Sequence, residues 1–344
     1  MHEGTLRFYN YTPKKKDGYK NKFCKLPWEN IIIDEDGDVM LCGCQSHMPY
    51  SIGNIYNESL QTIWNGSRAQ SVRQSVIDGD YTYCRSNCPA LLRLPDMPAT
   101  LPVLVGFPKK IRIDMDKSCN LKCPSCREHV IIEKKSEKIN KQINLYKELH
   151  QWALDTPDSL ISLTPVGSGE IFASHSGIAF LKMLADQPCK NLHLHLDTNG
   201  TLIMKNQELI KSLASSVKLW SISLDASTPE TYAKVRGGNW EELLAGLELL
   251  KELRTITVFR FCVQKNNYHE IDSFADLVAT FNGKVDYQNL SDWGHQTPDW
   301  WQSNSVFSDP DMLNITRDKL RKVNAKYKLS GIAFEFSQLI KESP

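Results

Sequence analysis

Between residues 109 and 290, short runs in which apolar and polar residues alternate are interleaved with longer stretches whose apolar residues recur every three or four positions. The alternating runs are KKIRIDMD (109–116), SLISLTP (159–165), NLHLHLD (191–197), VKLWSISL (217–224), ITVFRFCVQ (256–264) and KVDYQNL (284–290). A two-residue period sends successive side chains to opposite faces and predicts strands. KINKQINLYKELHQWAL and WEELLAGLELLKELR carry the helical period instead. Six such βα repeats predict a parallel sheet.

A parallel sheet covered by helices on both faces reads as nearly continuous apolar sequence. These strands do not. One face carries Arg112, Asp114 and Asp116, then His193, His195 and Asp197, then Ser221, Ser223 and Asp225, then Arg260, Cys262 and Gln264. The opposite face is Ile, Leu, Phe, Val and Trp. A sheet curled around its polar face accounts for this: an α/β fold, a partial (β/α)6 TIM-type barrel whose lumen binds something polar. The alternative is that these polar residues are solvated strand ends.

Residues 1–92 follow another pattern. ENIIIDEDGDVMLC predicts a strand, a turn at Asp36-Gly37 and a return strand. SLQTIWNGSRAQSVRQSVIDG predicts one or two short helices broken at Gly66. Prolines at 89, 95, 98, 102 and 108 mark 93–108 as a linker, which leaves 109–295 for the barrel and 296–344 as a C-terminal extension. No internal repeat is present.

A chain of 344 residues suits one large domain plus a small one. Lys and Arg total 41 against 40 Asp and Glu, a balance that argues against nucleic acid or a membrane surface as the main partner. No run approaches the ~18 apolar residues of a spanning helix. MHEGTLRFYNYTPKKKDGYK has no apolar signal core. The expectation is a soluble, cytoplasmic protein. Ten cysteines are many for that compartment, and clustered ones there indicate metal or redox chemistry. Cys24, Cys42, Cys44, Cys84 and Cys88 lie near the start, Cys119, Cys123 and Cys126 form a triplet, and Cys189 and Cys262 stand alone.

The triplet reads CNLKCPSC, with no fourth cysteine close behind. Structural metal sites usually close with four ligands. Three thiolates can hold three irons of a cubane cluster and leave the fourth open to a small chelating ligand. A share in a zinc site, or a reduced thiol cluster, is the alternative.

C-x3-C-x2-C just after the first strand of a βα barrel resembles the radical S-adenosylmethionine (SAM) enzymes. The resemblance implies that the open iron of a 4Fe–4S cluster takes SAM's amino and carboxylate groups. One electron from the cluster then splits the sulfonium, and the resulting 5′-deoxyadenosyl radical abstracts hydrogen from a substrate. It extends downstream. GSGE (167–170) is similar to the family's Gly-Gly-Glu segment and sets Gly169 and Glu170 against the SAM amino group. Thr198-Asn199-Gly200 is a frequent family feature. SISLDAS places Ser223 and Asp225 where the family contacts SAM, and Arg236 in KVRGG matches an arginine that pairs with its carboxylate. Gln264 and Asn266 in VQKNN fall on the SAM side. Ser125 departs from the aromatic residue that the family usually packs on adenine.

FCKLPWENIIIDEDGDVMLCGC, SIGNIYNESLQTIWNG and CRSNC resemble a SPASM domain over about residues 23–92. Family members usually carry it after the barrel; here it comes first. The resemblance implies an auxiliary 4Fe–4S cluster held by Cys24, Cys42, Cys84 and Cys88, with Cys44 as an alternate for Cys42. Zinc is the structural alternative. Full thiolate ligation suggests electron transfer.

Further candidates have a bland reading beside the functional one. Cys262 is a hydrogen donor to a substrate radical or a small buried hydrophobe. His193 and His195 are proton carriers or satisfied strand histidines. Asp114 and Asp116 position SAM or substrate, or are solvated. Asp292, Trp293 and His295 line the barrel mouth, and Trp300-Trp301 form a substrate platform or pack. The lysines at 14–16 are expected in solvent, and Cys189 inert. The expected function is post-translational modification of a peptide or protein, with a flavodoxin- or ferredoxin-type reductant. The alternatives are dehydrogenation or epimerisation of a sugar or other small polyol, and, in another class, a non-catalytic iron–sulfur carrier or zinc-stabilised binding protein.

Overall fold

The computed structural model describes residues 12–42, 47–86, 88–102, 106–290 and 296–328. Cys44, Asp292, Trp293 and His295 lie outside the described residues. The chain divides into two compact units. The first is Met1–Lys117, Lys134–Ser168 and Gln187–Leu194; the second is Ser118–Glu133, Gly169–Asp186 and His195–Pro344.

In the first unit the DEDGD turn joins β1 (Asn30–Ile33) to β2 (Asp38–Met40). Gly37 turns the chain at φ +81°, and the Asp34 carboxylate accepts the Asp36 and Asp38 amides at 3.0 and 2.9 Å. Next, β3 (Gly53–Asn54) pairs antiparallel with β2. The other edge of β1 pairs in parallel with β4 (Lys110–Ile113), β4 with β5 (Ile161–Thr164), and β5 with β6 (Leu192–Thr198). Ile31, Ile32 and Ile33 are all buried, as a strand covered on both faces requires. Residues 95–97 return to the start of this unit: Phe23 donates to the Pro95 carbonyl at 3.0 Å and Met97 to that of Asn21 at 2.7 Å.

Helices α1 (Leu26–Glu29), α2 (Leu60–Asn65), α3 (Ser67–Ile77) and α4 (Glu137–Asp155) belong to the same unit. Ser59 caps α2 and Ser136 caps α4 through their hydroxyls, and Gly66 separates α2 from α3. Arg73 is buried under this pair. Its Nε and Nη1 donate to the Pro27 and Trp64 carbonyls at 2.9 Å, and its guanidinium lies 4.4 Å from the centre of the Trp64 ring. Phe23, Trp28, Val76, Tyr81 and Leu91 form a core that also takes in Cys24, Cys84 and Cys88.

Strand β6 runs from the first unit into the second, where the order continues through β7 (Val217–Ser223) and β8 (Thr257–Val263) to β9 (Lys284–Asn289). The β7–β8 and β8–β9 pairings are parallel. Helices α5 (His175–Asp186), α6 (Gln207–Ser212), α7 (Pro229–Val235), α8 (Trp240–Glu252), α9 (Ile271–Thr280), α10 (Pro298–Asn304) and α11 (Pro310–Lys328) complete it. On β8 the buried residues are Thr257, Phe259, Phe261 and Val263, while Val258, Arg260 and Cys262 on the other face are half-buried; β6 alternates in the same way. The class is α/β, and the strand order β4-β5-β6-β7-β8-β9 is that of the partial (β/α)6 barrel expected. No helix among the described residues is long and apolar enough to cross a membrane.

Glu270 ties the segment after β7 to the start of α9. It accepts Ser227 N–H at 2.6 Å and the Ser227 and Thr228 hydroxyls at 3.1 and 2.5 Å. Burial pushes its carboxyl up, but these donors outweigh burial and hold it below the ordinary value of 4.5. Its contribution to stability is therefore complete above about pH 4.5 and fades as the pH falls through the depressed folded value. Glu270→Gln is expected to cost about 1–3 kcal/mol at pH 7. In urea titrations the gap between variant and wild type should narrow towards pH 3.

Candidate functional site

In the second unit the cysteine triplet lies on a loop closed at its base. Cys119 N–H donates to the Ile131 carbonyl at 2.6 Å, and Glu133 N–H to the Ser118 hydroxyl at 2.9 Å. The Cys123 carbonyl accepts the Cys126 and Arg127 amides at 2.8 and 3.1 Å, curling the chain so that the three thiols pack around Leu121. Cys119 and Cys123 are buried and Cys126 half-buried. The sulfurs are met by N–H donors: Leu121 N at 3.5 Å and Asn199 Nδ2 at 3.7 Å on Cys119, and Arg127 Nε at 3.5 Å on Cys126. Burial pushes the Cys119 and Cys123 thiols up; Arg127 pulls against it at Cys119, and Arg236 at both.

A polar frame fixes this loop. Asn199 Nδ2 donates to Asn120 Oδ1 at 2.9 Å, Asn120 Nδ2 to Thr201 Oγ1 at 2.9 Å, and Thr201 Oγ1 back to Asn199 Oδ1 at 2.7 Å. The ring is closed, so each side chain orients the next. Glu170 stands behind it with 1 % exposure. Its carboxylate accepts the Thr198 hydroxyl at 2.8 Å, Asn199 N–H at 2.6 Å and Phe172 N–H at 3.2 Å. Burial pushes the Glu170 carboxyl up, and those donors offset it in part. Gly200 turns the chain at φ +82°, and a Cβ there would lie 2.5 Å from Leu243 Cδ1.

Asp225 follows β7 at φ +59°, a left-handed conformation that costs free energy for a non-glycine residue. Its carboxylate accepts Arg236 Nη1 at 3.1 Å and Cys262 N–H at 2.6 Å, and its carbonyl accepts Asn267 Nδ2 at 2.9 Å. Burial pushes the Asp225 carboxyl up against the pull of Arg236. Burial also opposes the Arg236 charge, but Cys123, Asp225 and Cys119 outweigh it, so a firmly protonated guanidinium sits beside the thiols. Arg236 Nε, Gln264 Nε2 and Tyr232 Oη are buried with no hydrogen-bond partner among the described residues. Ser223, at the end of β7, is half-buried, and Asn266 binds Asn304 at 3.0 Å. Gly169 directly precedes Glu170, whose N–H donates to the Ser118 carbonyl at 2.7 Å.

The polar strand face carries Arg260, whose Nη1 lies 3.1 Å from Asp197 and whose Nε lies 3.9 Å from Asp286. Cys262 Sγ is 3.6 Å from the Asn289 carbonyl; burial, then the Asp225 charge, pushes its thiol up and keeps it protonated. His193 and His195 are half-buried. Two features escaped the sequence reading. Tyr232 lies near Arg236 and Cys123, and Gln296 Nε2 donates to the Ser125 carbonyl at 2.8 Å, tying the segment before α10 to the cysteine loop. The unexplained Ser125 could have prompted a search for a compensating contact; a buried tyrosine gives no such signal. Trp300 and Trp301, in α10, stack at 5.9 Å.

In the first unit Cys42 and Cys88 are buried, and Cys24 and Cys84 half-buried. Their charges are mutually felt: Cys84 by Cys42, Cys24 and Cys88, and Cys24 by Cys88. Burial, then these neighbours, pushes the Cys84 thiol up to about 12. Thiols that feel one another's charge can give up their protons to a metal. The cysteines described are free thiols, and among the described residues no three His, Cys, Asp or Glu side chains close on the volume of a single ion.

Three buried or half-buried thiols, donors on their sulfurs, and two arginines beside them define an anionic-cofactor site on an α/β barrel. Residues 117–278 match the radical SAM superfamily, and residues 24–89 match the SPASM iron–sulfur cluster-binding domain. The chain carries a radical SAM domain, and its SPASM domain precedes it. These domains bring a catalytic 4Fe–4S cluster, SAM and an auxiliary cluster. The solved structure of native anSMEcpe with bound AdoMet and Cp18Cys peptide is 20 % identical, with a TM-score of 0.50 over 65 % of this chain and 62 % of that one. Streptococcus suis SuiB bound to S-adenosylmethionine is 16 % identical, with a TM-score of 0.49 over 68 % of this chain and 52 % of that one. The S-adenosyl-L-methionine-dependent tRNA 4-demethylwyosine synthase of Pyrococcus horikoshii is 35 % identical over 86 residues, 24 % of this chain and 25 % of the synthase. The chain thus spans about half of SuiB and a quarter of the synthase.

Proposed function

We propose that this protein is a radical SAM enzyme that takes a hydrogen atom from a peptide residue presented to the polar strand face. The observation that carries the reading is Arg236: a buried guanidinium beside the three-thiol loop, with Nε–H unused. Cys119, Cys123 and Cys126 would hold the catalytic cluster, and Cys24, Cys42, Cys84 and Cys88 the auxiliary one. When bound, cluster and SAM supply one electron and a 5′-deoxyadenosyl radical. Arg236 would pair with SAM's carboxylate, and Gln264 Nε2 supplies a second unused donor. Gly169, Ser223 and Asp225 are assigned to the SAM side, Asp225 as the group that orients Arg236. Glu170 acts through Thr198 and Asn199 and so aims the frame. Arg260, Asp197 and Asp286 offer a polar substrate both signs of charge. A peptide fits that face, and anSMEcpe, which shares the fold, has been solved with a peptide bound. The reductant in this reading is a flavodoxin or ferredoxin.

A second reading, epimerisation, rests on Cys262, which stays an S–H at neutral pH on that same face. Anaerobic turnover in D2O separates them. Deuterium in the product, lost in Cys262→Ala while 5′-deoxyadenosine persists, selects epimerisation. Loss of two hydrogens without deuterium selects dehydrogenation or cross-linking. Absence of 5′-deoxyadenosine under reducing conditions, with both clusters loaded, would refute an enzyme and leave an electron carrier.

A further inference from the structure

The lysines at 14–16, expected in solvent, divide in the structure. Lys14 and Lys15 are exposed, but Lys16 is half-buried. The segment lies along residues 80–82: Lys14 N–H donates to the Thr82 carbonyl at 3.1 Å and Lys16 N–H to that of Asp80 at 2.7 Å. Lys15 Nζ is 3.4 Å from the Asp80 carboxylate. Lys16 Nζ turns inward and donates to the Tyr81 carbonyl at 3.1 Å. That same carbonyl accepts the backbone N–H of Cys84 at 3.0 Å. Tyr81 reaches this position at φ +45°, a strained backbone for tyrosine, and its hydroxyl is tied to the Lys22 carbonyl at 2.9 Å. One oxygen therefore holds an ammonium next to the backbone amide of Cys84.

We propose that Lys16 is a positioning residue that sets the reduction potential of the auxiliary cluster. The inference rests on the ligand set Cys24, Cys42, Cys84 and Cys88. One-electron reduction adds a unit of negative charge to a four-thiolate cluster, and a fixed ammonium beside one ligand stabilises that form. Lys16 thus makes the cluster easier to reduce, as suits an acceptor for the electron left on a substrate radical. The pairing of 14–16 with 80–82 holds the Lys16 side chain in place.

The test is an EPR-monitored redox titration of full-length protein bearing Cys119→Ala, Cys123→Ala and Cys126→Ala, so that only the auxiliary cluster is read. Iron content is measured first; a variant without about four irons per chain overturns the ligand set itself, before Lys16 is tested. Lys16→Gln and Lys16→Ala are expected to move the midpoint to more negative potential, lowering the reduced-to-oxidised ratio at fixed poise about tenfold, the scale of two unit charges roughly 12 Å apart at an effective dielectric of ~20. Lys16→Glu should move it further and Lys16→Arg should stay near wild type. Equal potentials across the four variants, or an Arg variant shifted as far as the Ala variant, would overturn the proposal.

Discussion

Alanine at Cys123 is expected to abolish SAM cleavage, and iron per chain should fall from about eight to about four. Cys123 is the most buried of the triplet, and its carbonyl also forms the turn that presents Cys126. Its thiol is the one whose charge Arg236 feels most. Removing it leaves two thiols and two arginines, Arg127 and Arg236, around a site meant to be anionic. The remaining pair cannot retain a cubane, so the loss is all-or-none rather than graded. The auxiliary cluster is held by other residues, so its absorption and EPR signal should persist. Cys189→Ala is the matched control: Cys189 is buried and belongs to neither set, and its replacement should leave iron content and SAM cleavage unchanged.

Methionine at Arg236 should cause the second-largest loss, through two routes. Asp225 would keep its bond from Cys262 N–H but lose the one from Arg236 Nη1 at 3.1 Å. Breaking a buried pair on one side costs about 3–5 kcal/mol, because the remaining charge stays desolvated. Removing the arginine raises the Asp225 carboxyl further, so this cost grows as the pH rises through the shifted value and is smallest in acid. Thermal unfolding followed over a pH series should show the deficit growing from acid towards higher pH. Separately, SAM turnover in the variant with its cluster loaded should fall about a hundredfold, the usual scale for losing a charge-assisted pairing. Arg236→Lys should recover stability more than turnover, since an ammonium restores the charge but not the fork.

Much of this architecture was legible because its signals are local. The alternation in 191–197 and 256–264 became β6 and β8 with apolar faces buried, and DEDGD became a glycine-bearing hairpin turn. Gly66 divided α2 from α3 as its backbone freedom suggested. What escaped was non-local. Ile31–Ile33 reads as an apolar strand, but nothing in its sequence says that its second edge pairs in parallel with β4, since a run buried on both faces fits many partners. Glu170 was read as a contact to SAM; no local pattern announces that its carboxylate also meets Thr198 and Asn199, partners 28 and 29 residues away. The inward turn of Lys16 depends on a left-handed tyrosine that no composition rule anticipates.

The claim on which the account depends is that the loop at Cys119, Cys123 and Cys126 leaves one iron open to SAM. Its most direct test is EPR of the dithionite-reduced protein before and after SAM, with 5′-deoxyadenosine measured in the same sample. The account predicts a change in the catalytic cluster's signal on adding SAM, followed by 5′-deoxyadenosine, both absent from the triple alanine variant. Zinc at the triplet, or an iron signal that SAM leaves unchanged while no 5′-deoxyadenosine forms, would contradict it.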